Sequence, residues 1–358
     1  MRLATIAVET PVGRERRLCV RDEDREEDEP GSLVDVTSGH TWLLERDGEP
    51  AAREQAMAVT PPDLREFLRR GDQALDAARD ALDGVPEPDD TDGSASQADD
   101  TDGSSSRADA TGGEHVRTED GARVRFSPAE DGVRLLAPLP RPNTIRDFMA
   151  YEEHVRNTLG DPPEVWFDIP VCYKGNPDTV VGPGDTVEWP AYSDLWDYEL
   201  ELAAVLGKRG TDVSPDEAED YIAGYTVFND FSARDTQGEE MDADLGPAKG
   251  KDFANALGPY LVTADAFDPT EARMTAEVDG EVWSAGTPGQ MHHSFADIVA
   301  HVSDGEPLHP GDVLGSGTVG EGCGLELGQF LEDGATVALE VEGIGRLENT
   351  VVADSRDA

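Results

Sequence analysis

The sequence predicts an α+β protein that is mainly β, and three observations support this fold class. Many short segments either alternate apolar and polar residues or are continuously apolar, as half-buried and buried strands do. Turn signals such as Asp279-Gly280 join strand-like segments, which is typical of β-hairpins. Helices are predicted at fewer places. They begin where a capping residue precedes proline and acidic residues, as at Thr60 and Ser214.

Residues 1–83 are predicted to form a small N-terminal α+β domain. Residues 2–8 and 18–20 are predicted strands joined by a turn near residues 11–14, and residues 33–36 return to strand. A capped helix then carries apolar residues at helical spacing, namely Leu64, Phe67, Leu68, Leu75 and Leu82. We interpret it as a packing helix of this domain.

Residues 84–121 differ in composition from both flanks. The segment repeats DDTDGS, starting at Asp89 and again at Asp99, and most of it lacks apolar residues larger than alanine. Such a sequence cannot bury enough surface to offset the entropy lost on ordering, so it is predicted to be a disordered acidic linker or insertion. A calcium loop is disfavoured, because the closing glutamate and the flanking helices are missing. Residues 122–358 form the larger predicted domain.

The charge balance is strongly acidic and limits the partners. The 358 residues include 77 acidic and 29 basic side chains, a formal charge of −48. Such a surface repels phosphates, so nucleic acid is not an expected partner. We hypothesise a salt-rich cytoplasm, because at 1 M salt charges are screened over about 3 Å.

Cysteine usage and hydropathy indicate a cytosolic protein. Cys19, Cys172 and Cys323 show no paired spacing, which indicates neither a disulfide framework nor a zinc site. No stretch of about 18 apolar residues occurs that would predict a membrane span.

Residues 192–253 contain the strongest functional signal. Residues 197–206 alternate and then become continuously apolar, which predicts a strand entering a core. Glu199 and Glu201 therefore project from one face of this strand. Two adjacent carboxylates repel each other unless a proton or a cation lies between them, and an oxygen-only pair suits a hard divalent ion. Taken alone, such a pair is more often a solvated strand edge.

The following segment supplies further polar groups. A helix is predicted over residues 215–223 and a short strand over residues 225–228, which places Asp230 at a strand end. Three side chains that can donate hydrogen bonds follow, namely Arg234, Gln237 and Lys251. Carboxylates beside such donors can stabilise an oxyanion near a metal ion.

A helix is also predicted over residues 144–154. Asp147, Tyr151 and His154 would then share one helical face. On spacing alone, the favoured interpretation is that Asp147 is a capping acid and His154 a surface histidine. The adjacent His292 and His293 would point about 100° apart on a predicted helix, so we interpret them as structural or near the substrate.

Four long motifs together resemble the fumarylacetoacetate hydrolase family. They occur in one order between about Arg141 and Val352, and they read DYELELAAVLGK, YIAGYTVFNDFSARDTQ, GPAKGKDFANALGPYLVT and LHPGDVLGSGTVGEGC. The resemblance implies a mixed β-roll catalytic domain over residues 122–358. It also implies a homodimer.

The resemblance assigns roles to individual residues. Asp147 is implied to join Glu199, Glu201 and Asp230 as a metal ligand, with Mg²⁺ as the expected ion and Ca²⁺ or Mn²⁺ as alternatives. His154 is implied to be the catalytic base. Further implied roles are orientation of that base by Glu326, oxyanion stabilisation by Arg234, Gln237 and Lys251, and substrate contact by Tyr173 and Thr318.

The implied reaction is metal-dependent hydrolysis of a carbon–carbon bond in a 1,3-dicarbonyl acid, such as fumarylacetoacetate or an acylpyruvate. The chain departs from fumarylacetoacetate-cleaving enzymes at Met149, where they carry tyrosine, and no arginine matches their substrate-binding arginine in residues 155–163. One alternative is a lyase or isomerase acting on a 2-oxo acid, such as a decarboxylase, dehydratase or keto–enol isomerase. Another is a non-catalytic acidic cation-binding protein.

Overall fold

Strands dominate the protein, and the predicted α+β, mainly β fold class is confirmed. The computed structural model describes residues 1–22, 31–86 and 116–354. Residues 87–115, most of the predicted acidic linker, lie outside the described residues. Among the helices of the described chain, none is both long and apolar enough to cross a membrane.

The strands are numbered in chain order. They are β1 Arg2–Thr10, β2 Gly13–Arg21, β3 Leu33–Asp35, β4 Arg125–Phe126, β5 Val133–Leu135, β6 Ile145–Phe148, β7 Cys172–Gly175, β8 Val180–Val181, β9 Thr186–Trp189, β10 Trp196–Asp197, β11 Leu200–Leu206, β12 Ile222–Asp230, β13 Ser232–Ala233, β14 Asn255–Thr263, β15 Met274–Val278, β16 Glu281–Gly286, β17 Val313–Gly315, β18 Thr336–Val341 and β19 Gly345–Ala353.

The helices are short, with 4 to 13 residues each among those that the structure describes. They are α1 Val36–Arg46, α2 Ala52–Val59, α3 Leu64–Leu68, α4 Asp72–Gly84, α5 Glu152–Leu159, α6 Glu164–Asp168, α7 Arg234–Asp242, α8 Phe295–Ser303 and α9 Gly324–Leu327. Single 3₁₀ turns or short 3₁₀ helices occupy Pro177–Thr179, Pro215–Tyr221, Ala264–Ala266 and Pro288–Gln290.

A 12-stranded sheet forms the centre of the molecule. Its main order is β4-β3-β2-β1-β14-β12-β11-β17-β6-β7, with β5 paired to β1 and β8 paired to β14. A second sheet of five strands has the order β16-β15-β18-β19-β9, and β10 pairs with β13 alone. The N-terminal strand β1 is antiparallel to β14, so the predicted N-terminal domain shares a sheet with the rest of the chain. The division into domains stays a prediction.

Strand β11 divides the core into two layers. Leu200, Leu202 and Ala204 pack into one apolar cluster with residues of the five-stranded sheet, such as Leu339. Ala203 and Val205 face the other way and belong to a cluster that includes Phe67 of α3 and Ala78 of α4. Because side chains alternate along a strand, Glu199 and Glu201 lie on the second face, as predicted. Both glutamates are buried.

The predicted helix over residues 144–154 is wrong. Residues Ile145–Phe148 form strand β6, which pairs with β17 and β7, and the helix α5 begins only at Glu152. Asp147 and His154 therefore do not share a helical face. Strand pairing on both sides outweighs the weak helical preference of this segment, because all four residues of β6 are buried between neighbours.

Other local predictions were partly wrong. The helix predicted for residues 215–223 is a 3₁₀ helix that ends at Tyr221, because β12 begins at Ile222. The long helix predicted after Thr60 is divided into α3 and α4 at Gly71, which adopts a φ of +60°. The Asp279-Gly280 hairpin between β15 and β16 is confirmed.

Candidate active site

Four buried carboxylates from three strands meet at one end of the large sheet. Asp147 lies on β6, Glu201 on β11 and Asp230 on β12, and Glu199 precedes β11. One oxygen from each of the four lies within 4.8 Å of the others. The predicted convergence of these residues is therefore present in the structure.

The same face of each strand changes from apolar to acidic at this end. Ile145 precedes Asp147 by two residues, Phe228 precedes Asp230 by two, and Ala203 follows Glu201 by two. The three apolar residues belong to the cluster that packs against α3 and α4. The carboxylates thus begin where this apolar cluster ends.

Strand β17 separates Asp147 from the other ligands in the sheet, and its glycine creates the space for Asp147. Gly315 pairs with Asp147 on one side and Ala203 on the other. A Cβ atom on Gly315 would clash with the Asp147 carboxylate. The amide of Gly317 donates a hydrogen bond of 3.2 Å to Oδ1 of Asp147, which fixes the carboxylate in this space.

Two cations adjoin the carboxylates. Nζ of Lys251 lies 2.7 Å from Oε2 of Glu199 and 2.5 Å from Oδ2 of Asp230. Nη1 of Arg234 lies 2.8 Å from Oε1 of Glu199. Both cations are buried, so they partly neutralise the cluster without access to much solvent.

The environment separates the pKa values of the four acids. Burial raises the pKa of Glu199, but the charges of Lys251 and Arg234 outweigh burial and hold it well below its usual range. Burial raises the pKa of Asp230 to about 6, against the opposing charge of Lys251. Burial and then the neighbouring carboxylates raise the pKa of both Asp147 and Glu201 well above the usual range. The positive charge within the protein is therefore not enough to keep Asp147 and Glu201 ionised at their usual pKa.

The four acids fit a divalent cation. Oε2 of Glu201 and Oδ1 of Asp230 are buried, and neither has a hydrogen-bond partner within residues 1–22, 31–86 and 116–354. Buried oxygens without partners are unfavourable unless an ion or water satisfies them. A set made only of carboxylate oxygens matches hard ions such as Mg²⁺, Mn²⁺ or Ca²⁺.

A histidine–glutamate pair lies beside this cluster. Nδ1 of His154 on α5 is 2.9 Å from Oε2 of Glu326 on α9. The other oxygen of Glu326 accepts hydrogen bonds from Asn157 at 2.9 Å and from the Glu321 amide at 3.0 Å. Burial raises the pKa of Glu326, but the hydrogen bond and charge of His154, together with the hydrogen bonds from Asn157 and the Glu321 amide, lower the pKa overall.

Cys323 connects the pair to the carboxylates. Its backbone forms an isolated bridge with Glu199, and its Sγ lies 3.4 Å from Oε2 of Glu326. The charge of His154 also contributes to the low pKa of Glu199. The predicted base and the predicted cation site are therefore neighbours.

The remaining predicted residues also lie at the cluster. The Tyr173 hydroxyl donates to Oδ2 of Asp230 at 2.5 Å, and the Thr318 hydroxyl donates to Oε1 of Glu201 at 3.3 Å. Gln237 accepts a hydrogen bond of 3.0 Å from Nη1 of Arg234. His293, in contrast, bonds the Trp166 carbonyl and packs against its ring, a structural role.

Sequence reasoning missed Asp197. This carboxylate is fully buried and accepts hydrogen bonds from Nε of Arg234 at 2.7 Å and from the amides of Gly324 at 2.7 Å and Leu325 at 3.0 Å. It thus positions both a cationic donor and the start of the helix that carries Glu326. The alternation of Asp197, Glu199 and Glu201 was the sequence signal for this residue.

The fold is α+β and mainly β, and its site is a cluster of four buried carboxylates that could hold a divalent cation beside a histidine–glutamate pair. A family model described as fumarylacetoacetate (FAA) hydrolase C-terminal matches residues 143–352. The chain belongs to the fumarylacetoacetate hydrolase family.

Several relatives of this chain are named oxaloacetate tautomerases. The oxaloacetate tautomerase YisK of Bacillus subtilis is 33% identical over 226 residues, which cover 61% of this chain and 73% of the relative. The mitochondrial oxaloacetate tautomerase FAHD2A of Homo sapiens is 35% identical over 223 residues, covering 62% and 70% of the two chains.

Solved structures extend the similarity to nearly the whole chain. Fumarylacetoacetate hydrolase from Exiguobacterium antarcticum is 26% identical with a TM-score of 0.66, and the match covers 98% of this chain and 99% of the other. A 5-carboxymethyl-2-hydroxymuconate delta-isomerase from Mycobacterium smegmatis is 25% identical with a TM-score of 0.62, covering 99% and 100%. The similar proteins therefore include hydrolases, isomerases and tautomerases.

Proposed function

We propose that this protein is a divalent-metal-dependent tautomerase that interconverts the enol and keto forms of a 2-oxo acid of the oxaloacetate type. The observation that carries the proposal is the His154–Glu326 pair beside four carboxylates suited to one cation. The two named tautomerases, at 33% and 35% identity, support the same reaction class.

Asp147, Glu199, Glu201 and Asp230 would hold the ion. When bound, a divalent ion withdraws electron density from a 2-oxo group and thereby favours its enolate form. We propose Mg²⁺ as the resident ion, because the four residues offer oxygen ligands only.

His154 is the proposed proton carrier. Because the Glu326 carboxylate accepts from Nδ1, that nitrogen carries the proton and Nε2 is free to act as a base. The base would take a proton from the carbon next to the 2-oxo group and return it to oxygen, or the reverse. Glu326 holds the ring orientation and stabilises the charged imidazolium between these two transfers.

Arg234 is the proposed donor to the substrate. Its Nε and Nη1 are engaged by Asp197 and Glu199, whereas Nη2 is buried and has no hydrogen-bond partner in the described part of the chain. An unsatisfied guanidinium hydrogen at this position can bind the developing oxyanion or a carboxylate of the substrate. Lys251 contacts the other carboxylate oxygen of Glu199, and its positive charge would stabilise the same negative charge on the substrate.

Hydrolysis of an acylpyruvate-type carbon–carbon bond is the second candidate. The same His154 base could take a proton from water, and the hydrolase from Exiguobacterium antarcticum matches nearly the full chain. A homodimer and a cytoplasmic location belong to the same proposal and are expected from the family resemblance.

An assay with two substrates distinguishes the candidates. Decay of enol-oxaloacetate absorbance with Mg²⁺ or Mn²⁺, faster than with the ion alone, would support the tautomerase. Release of two acids from an acylpyruvate would support the hydrolase instead. His154→Ala should abolish the activity, whereas His301→Ala, which changes an exposed histidine on α8, should not. Equal loss in both variants would contradict a catalytic role for His154, and no turnover of either substrate would contradict both proposed reactions.

A further inference from the structure

A second concentration of charge lies away from the carboxylate cluster. A surface cleft of about 520 Å³ is lined by three separate segments of the chain. We call the part of this cleft that carries basic side chains the basic cleft, which consists of Arg69, Arg70, Lys208, Arg209 and His309.

The composition of this cleft is opposite to that of the protein. Acidic residues outnumber basic residues by 77 to 29 in the whole chain. The lining nevertheless contains two arginines from the end of α3, a lysine and an arginine that follow β11, and a histidine, and it contains neither Asp nor Glu. On a surface that otherwise repels anions, this cleft is a local site of attraction.

The positions of these cations are set by the backbone around them. The segments that carry Arg209 and His309 are joined by backbone hydrogen bonds between Gly210 and Leu308, of 3.4 Å and 2.8 Å. The Gly311 amide also donates to Leu206 at 2.7 Å. The two segments are therefore joined directly, which holds the backbones of Arg209 and His309 close together.

Much of the positive charge is not neutralised inside the protein. Arg69 pairs with Glu66 at 2.5 Å, but both side chains are more than 40% exposed. Arg70 uses Nε for the Ala58 carbonyl at 2.8 Å, a bond that orients the guanidinium without cancelling its charge. Lys208 and Arg209 are exposed, and neither makes an ion pair with any residue that the structure describes.

The basic cleft is separate from the candidate active site. Lys208 follows the C-terminal end of β11, whereas Glu199 and Glu201 lie at its N-terminal end. Lys208 lies seven positions after Glu201, which corresponds to about 20 Å along an extended strand. A ligand in the basic cleft therefore does not occupy the carboxylate site.

We propose that the basic cleft binds a small molecule with at least two negative charges on phosphate or carboxylate oxygens. Arginine forks and a lysine ammonium are the groups that bind such oxyanions, and several fixed cations favour a multiply charged ligand over chloride. The volume accommodates a compact metabolite. Duplex nucleic acid is disfavoured, because the surrounding surface is acidic.

The proposal can be tested by calorimetric titration of the full chain with pyrophosphate and, separately, with citrate. No divalent ion is added, so neither probe can act by chelation at the carboxylates, and KCl is kept at the lowest concentration at which circular dichroism shows a folded protein. Saturable binding of one molecule per chain, weakening as KCl rises, is expected. The probe that binds more tightly identifies phosphate or carboxylate as the preferred group.

Paired charge reversals provide the control. Lys208→Glu with Arg209→Glu should weaken binding at least tenfold, whereas Arg14→Glu with Arg16→Glu, on the exposed part of β2, makes the same change in net charge and should leave it within about twofold. If the first pair does not fold, Lys208→Gln with Arg209→Gln serves instead. Absence of saturable binding of both probes, or equal weakening in both pairs, would overturn the proposal.

Discussion

The acidic residues of the candidate site differ in their electrostatic surroundings. Glu199 is stabilised as an anion by two buried cations, whereas Glu201 has a threonine hydroxyl and other carboxylates as neighbours. A bound cation would therefore change the environment of Glu201 more than that of Glu199. This difference makes Glu201 the most informative single residue to change.

Replacing Glu201 by Gln should weaken Mn²⁺ binding at least tenfold, because the change removes one anionic ligand and leaves a buried amide in its place. Calorimetric titration of Mn²⁺ measures the effect. Glu188→Gln, on the exposed side of β9, is the matched control and should bind normally. Unchanged affinity in the Glu201 variant would place the ion elsewhere.

Divalent ion affinity should increase with pH. Burial and neighbouring carboxylates raise the pKa of Asp147 and Glu201, so these acids hold protons below their raised pKa and must release them when an ion binds. Titrations at several pH values, in buffers of different ionisation enthalpy, measure both the affinity and the protons released. An affinity that is independent of pH, with no proton release, would contradict this coupling.

Asp197 is predicted to be a positioning residue. In Asp197→Asn, an amide replaces the carboxylate that accepts from Arg234 and from the start of α9, so turnover should fall roughly 10- to 100-fold. Mn²⁺ affinity should stay within about threefold, because Asp197 does not belong to the four ligands. A parallel loss of Mn²⁺ affinity and folding stability would indicate a purely structural role.

At the scale of elements, the site depends on a short strand that supplies no ligand. Strand β17 lies between β11 and β6, and its pairing sets the separation of Glu201 from Asp147. The absence of a side chain at Gly315 gives the Asp147 carboxylate its place. A substitution in β17 should therefore change the distance between Glu201 and Asp147 without changing the charge of the site.

Gly315→Ala tests this idea. The added methyl group would meet the Asp147 carboxylate and the Phe228 ring, so Mn²⁺ binding should weaken about tenfold although all four ligands remain. Gly238→Ala, on α7, is the control, because an added Cβ there meets no neighbour within 4 Å. Equal Mn²⁺ affinity in both variants would show that β17 can move to accommodate the methyl group.

The whole molecule is dominated by its negative charge. A formal charge of −48 over 358 residues produces repulsion that favours expanded states, and salt reduces that repulsion. The melting temperature should therefore rise between about 0.1 M and 2 M KCl, as the hypothesis of a salt-rich cytoplasm requires. An equal rise with sucrose at matched osmolality would instead indicate a general effect of excluded solutes.

Local patterns in the sequence were sufficient for several parts of this protein. The β1–β2 hairpin, the Asp279-Gly280 hairpin and the common face of Glu199 and Glu201 follow from alternation and turn chemistry, which act over a few residues. The ordered motifs likewise carried the family resemblance. For the hairpins and the glutamate pair, and for each single motif, the information lies within one continuous segment.

Other features were decided only by the tertiary structure, because they depend on contacts between distant segments. Residues 145–148 became a strand when β17 and β7 paired with them, despite helical spacing in the sequence. Asp197 has a positioning role only because Arg234 and the Gly324 amide at the start of α9 donate hydrogen bonds to it. The basic cleft joins segments near residues 70, 208 and 309, which are far apart in the sequence. A backbone bridge between Gly210 and Leu308 joins the last two, and α3 packs in the same apolar cluster as Val205 and Val313.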